Sequence, residues 1–262
     1  MEYNIPLDDL KIEDEDVVNE NASESVFDLA IDKTKGKEED DVKPWIDAYK
    51  KLMEQSIDQF HTLLACKFKL VSTIMDNKIC LYERDNGVAY GFYTWKVSGV
   101  FNLYADRLFY VIKDFNRNTR LKWDNEFVES VDELETFDTE FGLIKMCKLE
   151  EKYNLPLFWN RVHLGIGWKH FNKTTNTYKF VFRTTQHRFY KCPEKKVKVI
   201  ALFGVVVRVL ETPNKCECQM IQYMNPGDSV PTSVVQILKN RFLNKLKLYA
   251  EVTKDWDIYY KK

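Results

Sequence analysis

Three observations predict an α+β fold built on one large, curved antiparallel sheet. Between residues 67 and 224 nine strand-like runs follow one another with a single helical interruption. They are joined by short turns, not by the long crossovers that parallel strands need. Amphipathic helical patterns open and close this stretch. A strongly curved sheet of this size has a concave face to fill, and the closing helix has a face broad enough to fill it.

Residues 1 to 43 stand apart. They carry 15 acidic and 5 basic side chains, against 25 acidic and 34 basic in the remainder, so the formal net charge of −1 hides two opposed regions. Runs such as "EDED" and "KEEDD" with few apolar clusters cannot bury enough surface to offset ordering entropy, so this segment is expected to be a disordered or loosely docked acidic tail. A short helix over residues 25 to 31 is its one structured alternative. Residues 44 to 262 are expected to form one domain, large enough to bury roughly 70–75% of its unfolded surface.

Pro44 opens the first helix, with Trp45, Tyr49, Leu52, Met53, Ile57, Phe60, Leu63 and Leu64 on one face. Three strands follow at 67 to 75, 78 to 84 and 89 to 98, joined at Asp76-Asn77 and at Asp85-Asn86-Gly87, both hairpin signals. The third places Ala89, Gly91, Tyr93, Trp95 and Val97 on one side. Val100, Phe101, Tyr104, Leu108, Val111 and Ile112 return to helical period. Six strands are predicted next, at 127 to 136, 140 to 150, 161 to 171, 177 to 189, 196 to 210 and 215 to 224. After the turn signal Asn225-Pro226-Gly227, Pro231 suits the first turn of the closing helix. There Val235, Leu238, Phe242, Leu246 and Tyr249 recur, flanked by Val234, Ile237 and Leu243. This helix is expected to close the mouth of the sheet.

Several function classes find no support. There is no basic-then-apolar leader at the start, and the longest apolar run, Val199 to Val207, is half the ~18 residues of a membrane span and reads as a buried strand. The six cysteines have no recurring spacing and fit reduced thiols in a cytoplasmic protein. Cys216 and Cys218 share a strand face with Met220 and read as core, while His61, His163, His170 and His187 lack zinc spacing. No P-loop, G-x-S-x-G or dinucleotide glycine pattern appears, so neither a cofactor nor a nucleic-acid partner is expected.

"TRLKWD" (Thr119 to Asp124), "LPLFWNR" (Leu155 to Arg161) and "NPGDSVP" (Asn225 to Pro231) stand in an order and spacing that resemble the START (StAR-related lipid transfer) family over roughly residues 45 to 255. The likeness is greatest to phosphatidylcholine transfer members. It implies a helix-grip fold, a nine-stranded curved antiparallel sheet wrapped around a long C-terminal helix, with a tunnel for one lipid between them and no catalysis. The sequence departs from those members where Val162 replaces an acidic residue, where His163 replaces an aromatic, in "LIKMCK" (Leu143 to Lys148), and where Ile221 and Gln222 replace aromatics. A choline cage is therefore not expected.

Arg120 and Asp124 fall on positions that contact the phosphate region in the resembling proteins. Arg120 is the first candidate for a phosphate contact, a charge and fork that an apolar cavity otherwise disfavours; Asp124 orients it or forms a structural ion pair. Arg161 is the second candidate, or a structural residue of the sheet. His163 is expected to face the tunnel, with Gln222 on the last strand and Val235, Leu238, Phe242 and Leu246 as the apolar roof; Trp123 reads as a packing anchor. Lys239, Arg241, Lys245 and Lys247 on the closing helix are expected to form a solvated polar face or a surface for an anionic leaflet. The acidic tail would then compete for that surface.

The function expected is binding and intermembrane transfer of a single lipid, a glycerophospholipid, by a monomer that touches membranes transiently. The alternatives are a lipid sensor, a sterol or ceramide carrier, and an enzyme on the same architecture using Arg161 and His163 as an acid and base pair.

Overall fold

The computed structural model describes residues 42–76, 78–84, 93–153, 159–187, 189–192, 194, 196–226 and 230–261. The acidic tail up to residue 41, the turns at Asn77, Asp85–Gly87 and Gly227, the strand positions Ala89 and Gly91, and Leu155 to Phe158 of "LPLFWNR" lie outside the described residues.

Helix α1 (Val42–Ala65) leads into strands β1 (Lys69–Ile74), β2 (Ile79–Arg84) and β3 (Tyr93–Phe101). Helices α2 (Ala105–Ile112) and α3 (Arg117–Trp123) follow. The chain continues through β4 (Val128–Phe137), β5 (Ile144–Glu151), β6 (Arg161–Asn172), β7 (Thr177–Thr184), β8 (Val197–Lys198), β9 (Ile200–Val209) and β10 (Cys216–Asn225). It closes with α4 (Thr232–Lys254) and the short α5 (Trp256–Tyr260).

Nine strands pair in the order β1-β2-β3-β10-β9-β7-β6-β5-β4. Every pairing along this path is antiparallel. The two-residue β8 adds a parallel contact with the start of β6. The α+β, helix-grip expectation therefore holds.

Several elements differ from those the sequence predicts, among them β5, which starts at Ile144 and not at 140. Val100 and Phe101 stay in β3, paired with Glu217 and Cys216, so the second helix begins at Ala105. Helix α3, hidden from an apolar-period reading because only Arg120 and Trp123 of its seven residues are buried, was not expected. The run 177 to 189 stops at Thr184, and that at 196 to 210 is interrupted at Val199. Pro231 is the cap residue of α4, one position before the helix.

The period-two alternation sorts the strands into two cores. One face of β6 presents Val162, Leu164, Ile166 and Trp168 to α1, where Tyr49, Leu52, Met53, Phe60 and Leu63 are buried. That is the convex face. On the concave face Trp95 and Val97 of β3, Phe180 and Phe182 of β7, and Cys218 and Met220 of β10 meet Val235, Leu238, Phe242, Leu246 and Tyr249 of α4. Both faces being covered, eight consecutive residues of β6, Arg161 to Trp168, are buried.

Close approach explains two glycines. A Cβ on Gly204 would lie 2.2 Å from the ring of Phe60, the contact by which α1 lies flat on β9. A Cβ on Gly165, facing the concave side, would meet the Arg183 carbonyl oxygen at 2.3 Å and the Phe182 ring at 2.8 Å.

Candidate functional site

Between the concave sheet and α4 lies a cavity lined by both aromatic and charged side chains. Phe115, Phe180, Phe182, Phe203 and Phe242 form an aromatic wall. Arg120, Asp114, Glu151, His163 and Lys245 line the polar part, with Gln222 and Tyr249 beside them. Its atom-free volume, mouth included, is about 650 Å³. The centre of a water molecule can range over only about 60 Å³. One water needs roughly 10–15 Å³ by that measure, so the cavity in this form holds a handful of waters. The expected lipid-sized tunnel is narrowed by the protein's own rings, with Phe115 stacked on Phe182 at 5.6 Å.

Helix α3 places Arg120 at the cavity. Asn116 caps that helix, its side chain accepting from the Asn118 amide, and Asp114 accepts from the Asn116 amide at 2.9 Å. One turn of helix brings Arg120 onto Asp124, Nε to Oδ2 at 2.8 Å and Nη2 to Oδ2 at 2.6 Å. Nη2 also donates to the Tyr249 hydroxyl of α4 at 3.2 Å. The guanidinium lies over the Trp123 ring, 4.3 Å from its centroid. Burial alone would lower the Arg120 pKa, but the oxygens of Tyr249 and Asp124 outweigh it and hold the group above its ordinary value. Nη1 donates to no described residue.

A second buried cluster centres on Glu151 at the end of β5. Its Oε1 pairs with Lys245 of α4 and lies 3.9 Å from Arg241, while Oε2 accepts from the Tyr153 hydroxyl at 2.9 Å and faces His163 Nε2 at 3.2 Å. Burial would raise this carboxyl, yet Lys245, Arg241 and His163 hold it well below the usual carboxylate range. Tyr153 is pushed the other way, first by burial and then by Glu151. Arg241 spends its terminal nitrogens on the carbonyls of Lys152 and Phe127, at 2.5 and 2.8 Å.

The sequence-predicted residues thus separate. Arg120, His163, Gln222 and Phe242 line the cavity, and Asp124 stands behind Arg120. Val235, Leu238 and Leu246 are buried in the concave core beside the cavity, not on its surface. Arg161, 2% exposed, donates to the carbonyls of Pro226 (2.9 Å) and Trp159 (2.6 Å) and ties the start of β6 to the turn before α4. His163, two residues along the same strand, faces Glu151 with Nε2, while these bonds of Arg161 go to backbone carbonyls.

The basic residues of α4 correct a further expectation. Lys239 pairs with Glu83 of β2 at 2.6 Å, and Lys245 and Arg241 reach Glu151; their side chains are only 14%, 20% and 12% exposed. Lys247, the most exposed of the four, is half-buried and lies 3.8 Å from Glu251 on the same helix. These cations fasten the helix to the sheet and do not form a free basic face.

No protein-family model matches the sequence, and no curated protein matches it. Solved structures do match. Human StAR-related lipid transfer protein 5 superposes with a TM-score of 0.69 at 12% identity, covering 80% of this chain and 98% of its own. Human STARD10 gives 0.65 at 15% identity, covering 79% and 83%. A STAR-related lipid transfer protein of Xanthomonas axonopodis gives 0.58 at 15% identity, covering 71% and 98%. The chain has the START fold.

Within that START fold, sequence reasoning missed Glu151, Lys245 and Asp114 as cavity residues. Glu151 sits in "LEEKY" beside the similar Glu150, and only the strand's alternation, which turns Leu149 and Glu151 inward and Glu150 outward, tells them apart. Cys216 and Cys218 are fully buried, and burial pushes the Cys216 thiol up to about 12, which leaves it unreactive. Among the described residues no cluster of three or more His, Cys, Asp or Glu is placed to hold a metal, and no helix is long and apolar enough to cross a membrane.

Proposed function

We propose that the chain binds one lipid in the cavity beneath α4 and carries it between membranes without catalysing a reaction, the lipid being a glycerophospholipid whose phosphate is met by Arg120. The observation that carries this reading is an amphipathic cavity between sheet and helix: aromatic side chains line it together with a buried arginine that keeps one amino group, Nη1, without a described protein partner. The structural neighbours that share the fold are named as lipid transfer proteins.

The energetic case is one of desolvation. Each methylene hidden from water gains ~0.8 kcal/mol, so two acyl chains of about thirty CH₂ groups need a fully enclosing site worth on the order of 20 kcal/mol. The present volume is too small for that, so loading requires α4 to swing away and Phe115, Phe180 and Phe182 to change rotamer. On this reading the protein meets a membrane surface transiently, and its free cysteines are in keeping with the reducing cytoplasm.

Lipids extracted from the purified protein and identified by mass spectrometry test the reading; a single phospholipid class in near-equal amount with protein is expected. For the phosphate contact, Arg120→Met is combined with Asp124→Asn so that no lone buried carboxylate remains. Phospholipid uptake should fall by about ten- to a hundredfold, the equivalent of losing one charge-assisted hydrogen bond. Unchanged uptake would make the pair purely structural.

A further inference from the structure

With the cations of α4 spent on the sheet, the surplus positive charge of the domain lies elsewhere. Residues 152 to 193 include eight Lys or Arg and no Asp or Glu. Strands β6 and β7 form the middle of that stretch, paired from Gly165 with Thr184 out to Asn172 with Thr177. Asn172 orders the turn between them, its Oδ1 accepting from the amides of Thr174 and Thr175 at 2.9 and 3.1 Å. The hairpin presents an exposed Lys173 in this turn, with Lys169 and Lys179 just inside it on opposite faces of the ladder, since Lys169 lies across from Phe180 and Lys179 across from His170.

Among the described residues none of these three lysines has a carboxylate within ion-pair distance. Lys179 instead meets Nε2 of His61 at 2.9 Å, and Asp58 acts on His61 without pairing with Lys179. Lys169 adds to a concentration of positive charge at Lys113: burial first, then Lys169 and Lys145, lower the pKa of that group against the opposing carboxylates of Asp114 and Glu133. Both carboxylates are already engaged, Glu133 with Lys145 at 2.7 Å and Asp114 with Thr119 and the Tyr260 hydroxyl. Within the described domain, the outer end of the hairpin is a positive surface without its counter-charge.

The chain itself holds that counter-charge. Residues 1 to 41 carry 15 acidic and 4 basic side chains, and within them residues 8 to 20 hold seven acids against one lysine. They join the domain at Val42, where α1 begins near the same end of the sheet: Lys50 pairs with Glu140 at 3.2 Å, and the carbonyl of the next residue, Phe141, accepts from Trp168 Nε1, one position before Lys169. The 21 residues between Glu20 and Val42 can span up to roughly 70 Å, so chain length does not limit the contact. We infer that the acidic segment 8 to 20 docks on the outer end of the β6–β7 hairpin, its carboxylates meeting Lys169, Lys173 and Lys179. Exposed ion pairs are individually weak, and tethering on one chain is what lets several of them act together. The inference stands whether or not the cavity takes a lipid.

Carbodiimide coupling of the dilute full chain, which joins a lysine to a carboxylate only where the two touch, tests this by peptide mass spectrometry. Carboxylates of residues 8 to 20 should be found joined to Lys169, Lys173 or Lys179 of the same chain, with at least about a tenfold loss in about 0.5 M salt, where the Debye length is roughly 4 Å. A second arm leaves the domain unchanged. With Glu13→Ser, Asp14→Ser, Glu15→Ser and Asp16→Ser combined in the full chain, the backbone amides of the hairpin should exchange faster than in the wild type at low salt, and equally fast at high salt. Coupling of the segment to other lysines as often as to these three, links formed only between chains, or exchange that the four substitutions do not alter overturns the inference. So does recruitment of the wild type to phosphatidylserine vesicles that Lys169→Glu with Lys173→Glu abolishes while no such link forms, which would give the surface to a membrane.

Discussion

Glu151 shows how a single side chain links stability to the site. Its carboxyl is held well below the ordinary value of 4.5 by Lys245, Arg241 and His163, against the raising effect of burial. A depressed folded pKa means that the unfolded chain takes up the proton first as the medium is acidified. The stabilisation is therefore complete above about pH 4.5 and is lost as the pH falls through the lower folded value. Glu151→Gln should reduce the melting temperature at neutral pH and flatten its decline in acid; parallel curves for the two proteins would show that Glu151 does not contribute in this way. Little of this was visible in the sequence. Arg120 and Asp124 lie one helical turn apart and could be paired from spacing, but Lys245 is 94 positions from Glu151, and a cation on a long helix reads as solvated until the sheet beneath it is known. Tyr260, which donates to Asp114 at 2.9 Å and accepts from Trp123 at 3.1 Å, was hidden for the same reason. Tyr260→Phe should cost about 1–2 kcal/mol in urea unfolding, and an unchanged midpoint would mean that the bonds of Tyr260 to Asp114 and Trp123 add nothing to stability.

Among the elements, those with a strong period were readable. The buried face of α1 matches its sequence pattern at Trp45, Tyr49, Leu52, Met53, Phe60 and Leu63, because one wide convex face takes it along its length. The short α3 and α5 were not, since seven and five residues offer too few turns for a period to show. What the pattern of α1 also leaves unsaid is its tight seat on β9. Gly204→Ala would set a Cβ 2.2 Å from the Phe60 ring and is expected to destabilise the fold by about 1–3 kcal/mol. Combining it with Phe60→Leu should cost less than the two changes added together; simple additivity in chemical denaturation would contradict a direct contact. The role of α4 was readable only in part. Its apolar face is as the sequence suggests, but its flanks carry cations to both margins of the sheet, Lys239 to Glu83 on β2 and Lys245 to Glu151 on β5. The helix is thus clamped at two sides of the hollow it covers. Lys239→Met should speed amide exchange through α4 without changing that of β6, and uniform acceleration across the sheet would argue against a local clamp.

At the scale of the whole molecule, the curved sheet, the two-sided burial of β6 and the clamped roof produce a cavity lined by aromatic and charged side chains. The antiparallel order and the closing helix follow from the alternation of strand-like runs and the final apolar stripe. The volume does not, because the cavity is narrowed by the rotamers of Phe115, Phe180 and Phe182, which no periodicity encodes. The account then turns on whether this space opens to admit a lipid. Native mass spectrometry of the full chain after incubation with phosphatidylcholine vesicles measures this directly, alongside Ala201→Phe, which fills the cavity from the floor of β9 without touching its charges. A mass increase of one lipid per wild-type chain, lost in Ala201→Phe, is the predicted result. A wild-type chain that retains no lipid, or a filled cavity that retains as much as the open one, would contradict it.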